Sequence, residues 1–339
     1  MGCKLLTEYS SGREDAARRK GQSLMTSLNK NALRGRSFLS IADVSPEELE
    51  LILETARVQK KRRFRRSLRG KNFALLFEKP SLRTKVSFSV GINQLGGHGI
   101  YLGQNEVGLG QRESIADVAR TLSRYVQGIV ARVFAHTSLI ELAEHAGVPV
   151  INALSDVEHP CQALADFLTI QEHKKTIRGL RIAYIGDGNN IAASLAQGAV
   201  MLGAHFVIAS PKGYELPGEI VLSAHGFTKT GGSFSKANTP EEAVRGADVV
   251  YTDVWTSMGQ ESETKKRLNA FAGYQITEKL IKHAKSDAIF MHDLPAHRGE
   301  EVAGEVIDGP QSVAFDQAEN RLHAQRALLH LVLGSRTIQ

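Results

Sequence analysis

The stretch Arg181-Ile182-Ala183-Tyr184-Ile185-Gly186-Asp187-Gly188-Asn189-Asn190-Ile191 sets the reading of this chain. A short apolar run ends in a glycine turn, and an apolar helical pattern follows over Asn190–Met201. A second apolar run, His205–Ala209, comes next. Strand, helix, strand is what a parallel sheet with a right-handed crossover requires. The alternation extends in both directions. Towards the N-terminus, strands are expected at Asn72–Phe77, 99–102, 128–133 and 149–153, with helical patterns at 114–125, 139–145 and 161–173. Ser45-Pro46-Glu47-Glu48 reads as a helix start, with a capping serine, proline at the first helical position and acids in the first turn. Towards the C-terminus, strands are expected at Val249–Thr252, 288–291 and 313–315, and a last helix at 317–333. So many strands exceed one comfortable sheet. The expected fold is α/β: two doubly wound parallel-sheet domains joined by a bridging helix, with the C-terminal helix packing back on the first domain. The expected bounds are a basic, disordered extension over 1–36, a first domain over 37–168 plus 317–335, and a second over 169–316.

Composition agrees with a folded, water-soluble chain. Of 339 residues, 42% are hydrophobic and 23% charged. No apolar run approaches the roughly 18–20 residues that span a bilayer. Cys3 and Cys161 are the only cysteines, which excludes a disulfide framework and fits a reducing, cytoplasmic setting. Most of the net charge of +6 sits in residues 1–36, and the rest of the chain is nearly neutral. A second basic cluster, from Lys60 to Arg69, has only Phe64 interleaved and reads as a solvated face. No nucleic-acid or membrane partner is expected.

In open α/β sheets, ligands sit beyond the carboxyl ends of the strands. The residues there are polar and specific. After the first strand comes Ser81-Leu82-Arg83-Thr84-Lys85, opening a helix whose N–H groups and dipole favour an anion. Arg132 closes an otherwise apolar strand, so it faces an anion or an ion-pair partner. His159-Pro160-Cys161-Gln162 stands at a strand-to-helix junction, where His159 offers a donor to a carbonyl and Gln162 an amide. The turn Gly186–Ile191 nearly matches a dinucleotide fingerprint, but Ile191 replaces the third glycine and no acid follows the next strand. An NADP-dependent reductase is the alternative resting on it. Asp253 begins the loop Asp253-Val254-Trp255-Thr256-Ser257-Met258-Gly259 and suits an amino group. In His292-Asp293-Leu294-Pro295, the proline breaks any regular ligand spacing, so no metal is expected. Glu319-Asn320-Arg321 supplies one more cation.

Together these residues, in this order, resemble the aspartate/ornithine transcarbamoylase family, and within it the ornithine branch, from about residue 37 to about 335. Ser81-Leu82-Arg83-Thr84-Lys85 stands for the family's Ser-Thr-Arg-Thr-Arg, and His159-Pro160-Cys161-Gln162 for its His-Pro-x-Gln. The resemblance implies that carbamoyl phosphate is held by Ser81, Leu82, Arg83, Thr84, Arg132, His159, Gln162, Asp293, Leu294 and Arg321. It implies that L-ornithine is held by Asn190, Asp253, Ser257 and Met258, with Arg83, His159, Asp253 and Asp293 attending the chemistry. Arg83, His159 and the backbone near Leu294 are expected to polarise the carbamoyl carbonyl. The implied products are citrulline and phosphate, made without a cofactor. The implied setting is arginine biosynthesis or the urea cycle, and the implied assembly is a homotrimer or a multiple of it.

Three positions depart from the family pattern. Leu82 replaces a threonine but keeps the backbone N–H. Gly108 stands where many members place a glutamine that reaches a neighbouring subunit. Asp293 replaces the cysteine of His-Cys-Leu-Pro, beside the reacting amine. A carboxylate there favours the ammonium form, which has no lone pair for attack. Two further alternatives follow from it: another acceptor such as putrescine, or a carbamoyl phosphate binder with weakened catalysis.

Overall fold

Apolar runs bounded by turns become strands buried on both faces, and such strands need helices on either side. In the computed structural model, which describes residues 31–61, 66–257 and 259–334, they form two parallel sheets. Most of the expected extension, the basic residues Arg62, Arg63 and Arg65, the loop residue Met258 and residues 335–339 lie outside the described residues. The first sheet comprises β1 (Asn72–Phe77), β2 (His98–Gly103), β3 (Gly128–Arg132) and β4 (Val150–Leu154), in the order β2-β1-β3-β4. The second comprises β5 (Arg181–Ile185), β6 (His205–Ala209), β7 (Ser233–Lys236), β8 (Val249–Thr252) and β9 (Ile289–His292), in the order β7-β6-β5-β8-β9. The strand order reverses between β1 and β3 in one sheet and between β5 and β8 in the other. Crevices at such reversals are where α/β sheets bind ligands.

Five helices position the site: α1 (Pro46–Lys60), α2 (Leu82–Gln94), α3 (Pro160–Lys174), α4 (Asn190–Met201) and α5 (Ala314–Leu333). Ser45 caps α1 in a capping box with Glu48. Helix α3 is the bridge, and every residue from Pro160 to Ile170 is buried, because other elements pack on all its sides. The C-terminal helix α5 packs on α1, α2 and α3 and so returns to the first domain. The turn before α1 is tied in as well: Leu33 is buried, and the Gly35 N–H donates to the Val332 carbonyl at 2.9 Å.

Helices α3 and α4 touch where Gly198 faces Phe167. A Cβ on Gly198 would lie 2.4 Å from Cε2 of that ring. Gly198→Val is therefore expected to destabilise the protein by about 1–3 kcal/mol, the usual cost of overpacking. A thermal melt reads this, and an unchanged midpoint would contradict the packing described.

Eight of the expected strands and all the named helices are present, with ends moved by at most three residues. The expected strand at 313–315 is not. Ser312 makes only an isolated bridge to Phe290, and α5 begins at Ala314. Three apolar residues carry too little periodicity to separate a strand from a helix start. Conversely, β7 was not expected. It is an edge strand with only Phe234 buried, so it lacks an apolar run.

Candidate active site

The ends of β1, β3, β8 and β9 bring the sequence candidates towards one crevice. Beyond β1, the Ser81 hydroxyl caps α2 by accepting from the Thr84 N–H at 3.2 Å. Leu82 points its side chain to solvent and is 74% exposed, so it can contribute only backbone to a ligand. Thr84 is buried, and its Oγ1 accepts from Arg321 Nη2 at 2.7 Å. The other arm of Arg321 donates to Gln162 Oε1 at 2.5 Å. Gln162 Nε2 in turn donates to Asp166 Oδ1 at 2.7 Å, which also accepts from Gln317 Nε2 at 2.7 Å. Gln317 Oε1 accepts the His292 N–H at 3.0 Å. A continuous polar chain thus runs from α2 to β9 and crosses between the sheets. Burial pushes the Asp166 carboxyl up to about 7, although the bonds from Gln162 and Gln317 oppose this.

Arg83, Arg132 and Arg321 lie close enough to repel one another. Arg132 is buried at the end of β3. Burial, then the neighbouring Arg321, pulls its guanidinium down to about 10 despite the opposing pull of Asp293. Arg83 is likewise lowered by burial, while Asp293 and Asp253 support its charge. His159 stands beside them as the residue preceding α3. Its N–H donates to Ser194 Oγ at 3.0 Å, and its buried Nδ1 has no hydrogen-bond partner among the described residues. Burial, then the three guanidinium groups, holds this imidazole well below its ordinary value. It is therefore neutral at pH 7, a form with one N–H to donate. Cys161 is buried, which pushes its thiol up to about 12 and removes it as a nucleophile.

Across the crevice, Asp253 follows β8. Its Oδ1 accepts the Val254 N–H at 2.7 Å and its Oδ2 accepts from Asn189 Nδ2 at 2.7 Å. Asn189 also caps α4 through Oδ1. Asn190 reaches back to the first domain, donating to the Ser155 carbonyl at 2.6 Å. Ser257 lies further along the loop, its N–H held by Gln260 Oε1 at 3.1 Å. Asp293 follows β9 with its side chain 12% exposed. Burial, then Asp253, raises its carboxyl well above the ordinary range.

Leu294 departs from the expectation. It has φ of 60°, and its N–H donates to His292 Nδ1 at 2.9 Å. The donor expected near the carbamoyl carbonyl is therefore already used, and Leu294 is left with an acceptor, its carbonyl. His292 is fixed in one tautomer by Glu301, whose buried Oε1 lies 3.1 Å from Nε2.

The near-fingerprint turn after β5 is also filled by the protein itself. Gly188 would carry the close approach of a pyrophosphate. Here its N–H donates to the Tyr214 carbonyl at 2.7 Å, and an added Cβ would lie 2.3 Å from the Leu216 nitrogen. The neighbouring Asp187 is paired with Arg267 at 2.6 Å. Gly108 has a local reason as well: its φ is 59°, and a Cβ there would meet Arg112 Cβ at 2.9 Å.

Several participants were not singled out from sequence: Asp166, Gln317, Asn189, Glu158 and Glu301. A carboxylate inside the apolar helix at 166, four residues after Gln162, was the one local signal for any of them.

The chain is similar to known proteins along most of its length. The carbamoyl-P binding domain of aspartate/ornithine carbamoyltransferases matches residues 36–172, and the Asp/Orn binding domain matches residues 178–332. The ornithine carbamoyltransferase of Thermococcus kodakarensis is 54% identical over 308 residues, covering 89% of this chain and 98% of that protein. The anabolic ornithine carbamoyltransferase of Pyrococcus furiosus is 52% identical over 309 residues, covering 89% and 98%. A solved structure of the ornithine carbamoyltransferase from Pyrococcus furiosus superimposes with a TM-score of 0.87 at 52% identity, covering 90% of this chain and 99% of that one.

Proposed function

The chain belongs to the aspartate/ornithine carbamoyltransferase family, and on that premise we propose how its residues carry out the reaction. It transfers the carbamoyl group of carbamoyl phosphate to the δ-amine of L-ornithine, giving L-citrulline and phosphate. The observation that carries the assignment is the approach of Arg83, Arg132 and Arg321 at one side of a crevice whose other side holds Asp253 and Asp293. Three guanidinium groups that approach one another favour a bound anion, and the phosphate of an acyl phosphate supplies one.

The phosphate is held by Ser81, the backbone at Leu82, Thr84, Arg83 and Arg132, with Arg321 bracing Thr84 and Gln162. Residues 37–168 with 317–335 form the carbamoyl phosphate unit, and 169–316 the ornithine unit. Arg83 and the neutral His159 donate to the carbamoyl oxygen, where negative charge grows in the tetrahedral transition state. Gln162 Oε1 and the Leu294 carbonyl accept from the carbamoyl NH2 group. Asn190, Asp253, Ser257 and Met258 hold the amino acid. The neutral δ-amine attacks the carbamoyl carbon, the carbon–oxygen bond to phosphate breaks, and the proton lost from nitrogen leaves with the phosphate. Closure of the two domains excludes water.

We place the reaction in arginine biosynthesis, in the cytoplasm. No helix among the described residues is long and apolar enough to cross a membrane. The assembly is a homotrimer or a multiple of it. Leu82, Val86 and Val90 form an exposed apolar line along α2, next to exposed Ile100 on the edge strand β2, and this face suits a second copy.

Citrulline formation from carbamoyl phosphate and ornithine, followed across pH 6–10, tests the function. No citrulline at any pH, with carbamoyl phosphate still bound in calorimetry, would overturn it.

A further inference from the structure

We propose that Asp293 is the protonated member of a carboxyl pair with Asp253 and acts as a neutral hydrogen-bond donor where related chains carry a thiol. The inference rests on the reading of this crevice as the amine end of the transferase site. Carboxyl oxygens of Asp253 and Asp293 lie within 4.8 Å of each other and of a His292 ring nitrogen. Two carboxylates sharing so small a site repel each other, which favours one proton held by the pair.

The hydrogen bonds decide which one. Both oxygens of Asp253 already accept, from Val254 N–H and Asn189 Nδ2. Each oxygen of Asp253 is thus already satisfied as an acceptor. Oδ1 of Asp293 is buried and accepts from no donor among the described residues. His292 Nδ1 lies 3.6 Å from it but already accepts the Leu294 N–H, so it has no hydrogen to give. The proton therefore belongs on Asp293.

Other groups face the pair from every element around it. Arg83, Arg132 and Arg321 favour ionisation of Asp293. Asp166 on α3 opposes it, as do burial and Asp253. Tyr184 and Tyr251, both raised well above their ordinary value by burial, stay uncharged. Burial is the largest of these effects, and on balance the carboxyl is raised.

A protonated Asp293 keeps the charge of the neutral thiol it replaces. The pair then presents one negative charge to the amino acid. The pair keeps its proton below the raised pKa and loses it as pH rises through that value. Above it, two negative charges would hold the substrate as ammonium. Turnover needs a neutral amine, favoured by rising pH, and a protonated pair, favoured by falling pH. The profile of kcat/KM for ornithine should therefore be bell-shaped. In Asp293→Asn, the amide N–H replaces the O–H donor and does not ionise, so the alkaline limb should disappear.

The test compares pH profiles of the protein, Asp293→Asn and Asp293→Ala. At neutral pH the asparagine variant should lose no more than about tenfold, and the alanine variant about a hundredfold. Only the parent should fall on the alkaline side. An alkaline limb retained in Asp293→Asn, or a loss there as large as in Asp293→Ala, would overturn the proposal. A second readout does not need turnover. The infrared difference spectrum, ligand-free protein minus Asp293→Asn at neutral pH, should show the C=O band of a protonated carboxyl group, since any contribution from Asp166 is common to both. If citrulline forms in none of the three, the transferase reading fails, and the infrared band alone decides this inference. Its absence from the difference spectrum would overturn it.

Discussion

Arg83→Ala should lower turnover by about 10³, in line with the loss of a preorganised donor to a developing oxyanion. We propose that role because the residue stands in the first turn of α2, one residue beyond Leu82. Its side chain is half-buried and carries its charge against a desolvation penalty. Arg132 and Arg321 lie close by, so the unliganded site pays repulsion that a bound anion relieves. Removing Arg83 reduces that repulsion and leaves the Ser81 cap intact, so thermal stability should be unchanged or slightly higher. Arg83→Lys should recover only part of the rate, because an ammonium lacks the planar fork that bridges phosphate and carbonyl. The measurement is steady-state kinetics beside a thermal melt. Undiminished turnover in Arg83→Ala would remove the residue from the mechanism, and a large fall in melting temperature would make its role structural.

That Arg83 could be picked from sequence shows what is legible there. It is a charged residue just past an apolar run, and the carboxyl end of a parallel strand is where such a residue meets a ligand. Arg132, Asp253 and Asp293 were legible in the same way. Strands such as Arg181–Ile185 were bounded to the residue because glycine and charge flank them. The polar edge strand β7 was not, since half-exposed strands do not read as apolar runs. The supporting polar groups were the least legible. Gln317 meets Asp166 across 151 residues of chain, and no local pattern codes for that pairing. Leu294 failed for a different reason. A backbone N–H at a strand end looks available, but a φ of 60° turns it back onto the ring of His292 two residues earlier. Backbone reversals of that kind are visible only in three dimensions.

Glu158 is the clearest of these hidden residues, and Glu158→Ala should destabilise the protein by about 3–5 kcal/mol. Its carboxylate is 3% exposed, so few of its interactions are shared with solvent. Oε1 accepts from Ser40 Oγ and, at 3.1 Å, from Gln197 Nε2. Oε2 accepts from the Ile41 N–H at 3.0 Å and from Ser194 Oγ at 2.9 Å. One buried acid thus satisfies four donors, two from the turn before α1 and two from α4 of the second domain. Truncation strands all four, and unpaired buried donors cost more than their bonds contributed. Glu158→Gln should be intermediate, because its amide nitrogen accepts nothing and faces two donors. The melting temperature of Glu158→Ala should fall by about 5–10 °C. Turnover well below that temperature should fall too, since Ser194 Oγ, which donates to Glu158, also accepts the His159 N–H at 3.0 Å. Loss of the acid therefore loosens the seat of His159, the donor we propose for the carbamoyl oxygen. A melting temperature within about 1 °C of the parent would mean that the four donors find other partners, and the link from Glu158 to His159 would fall with it.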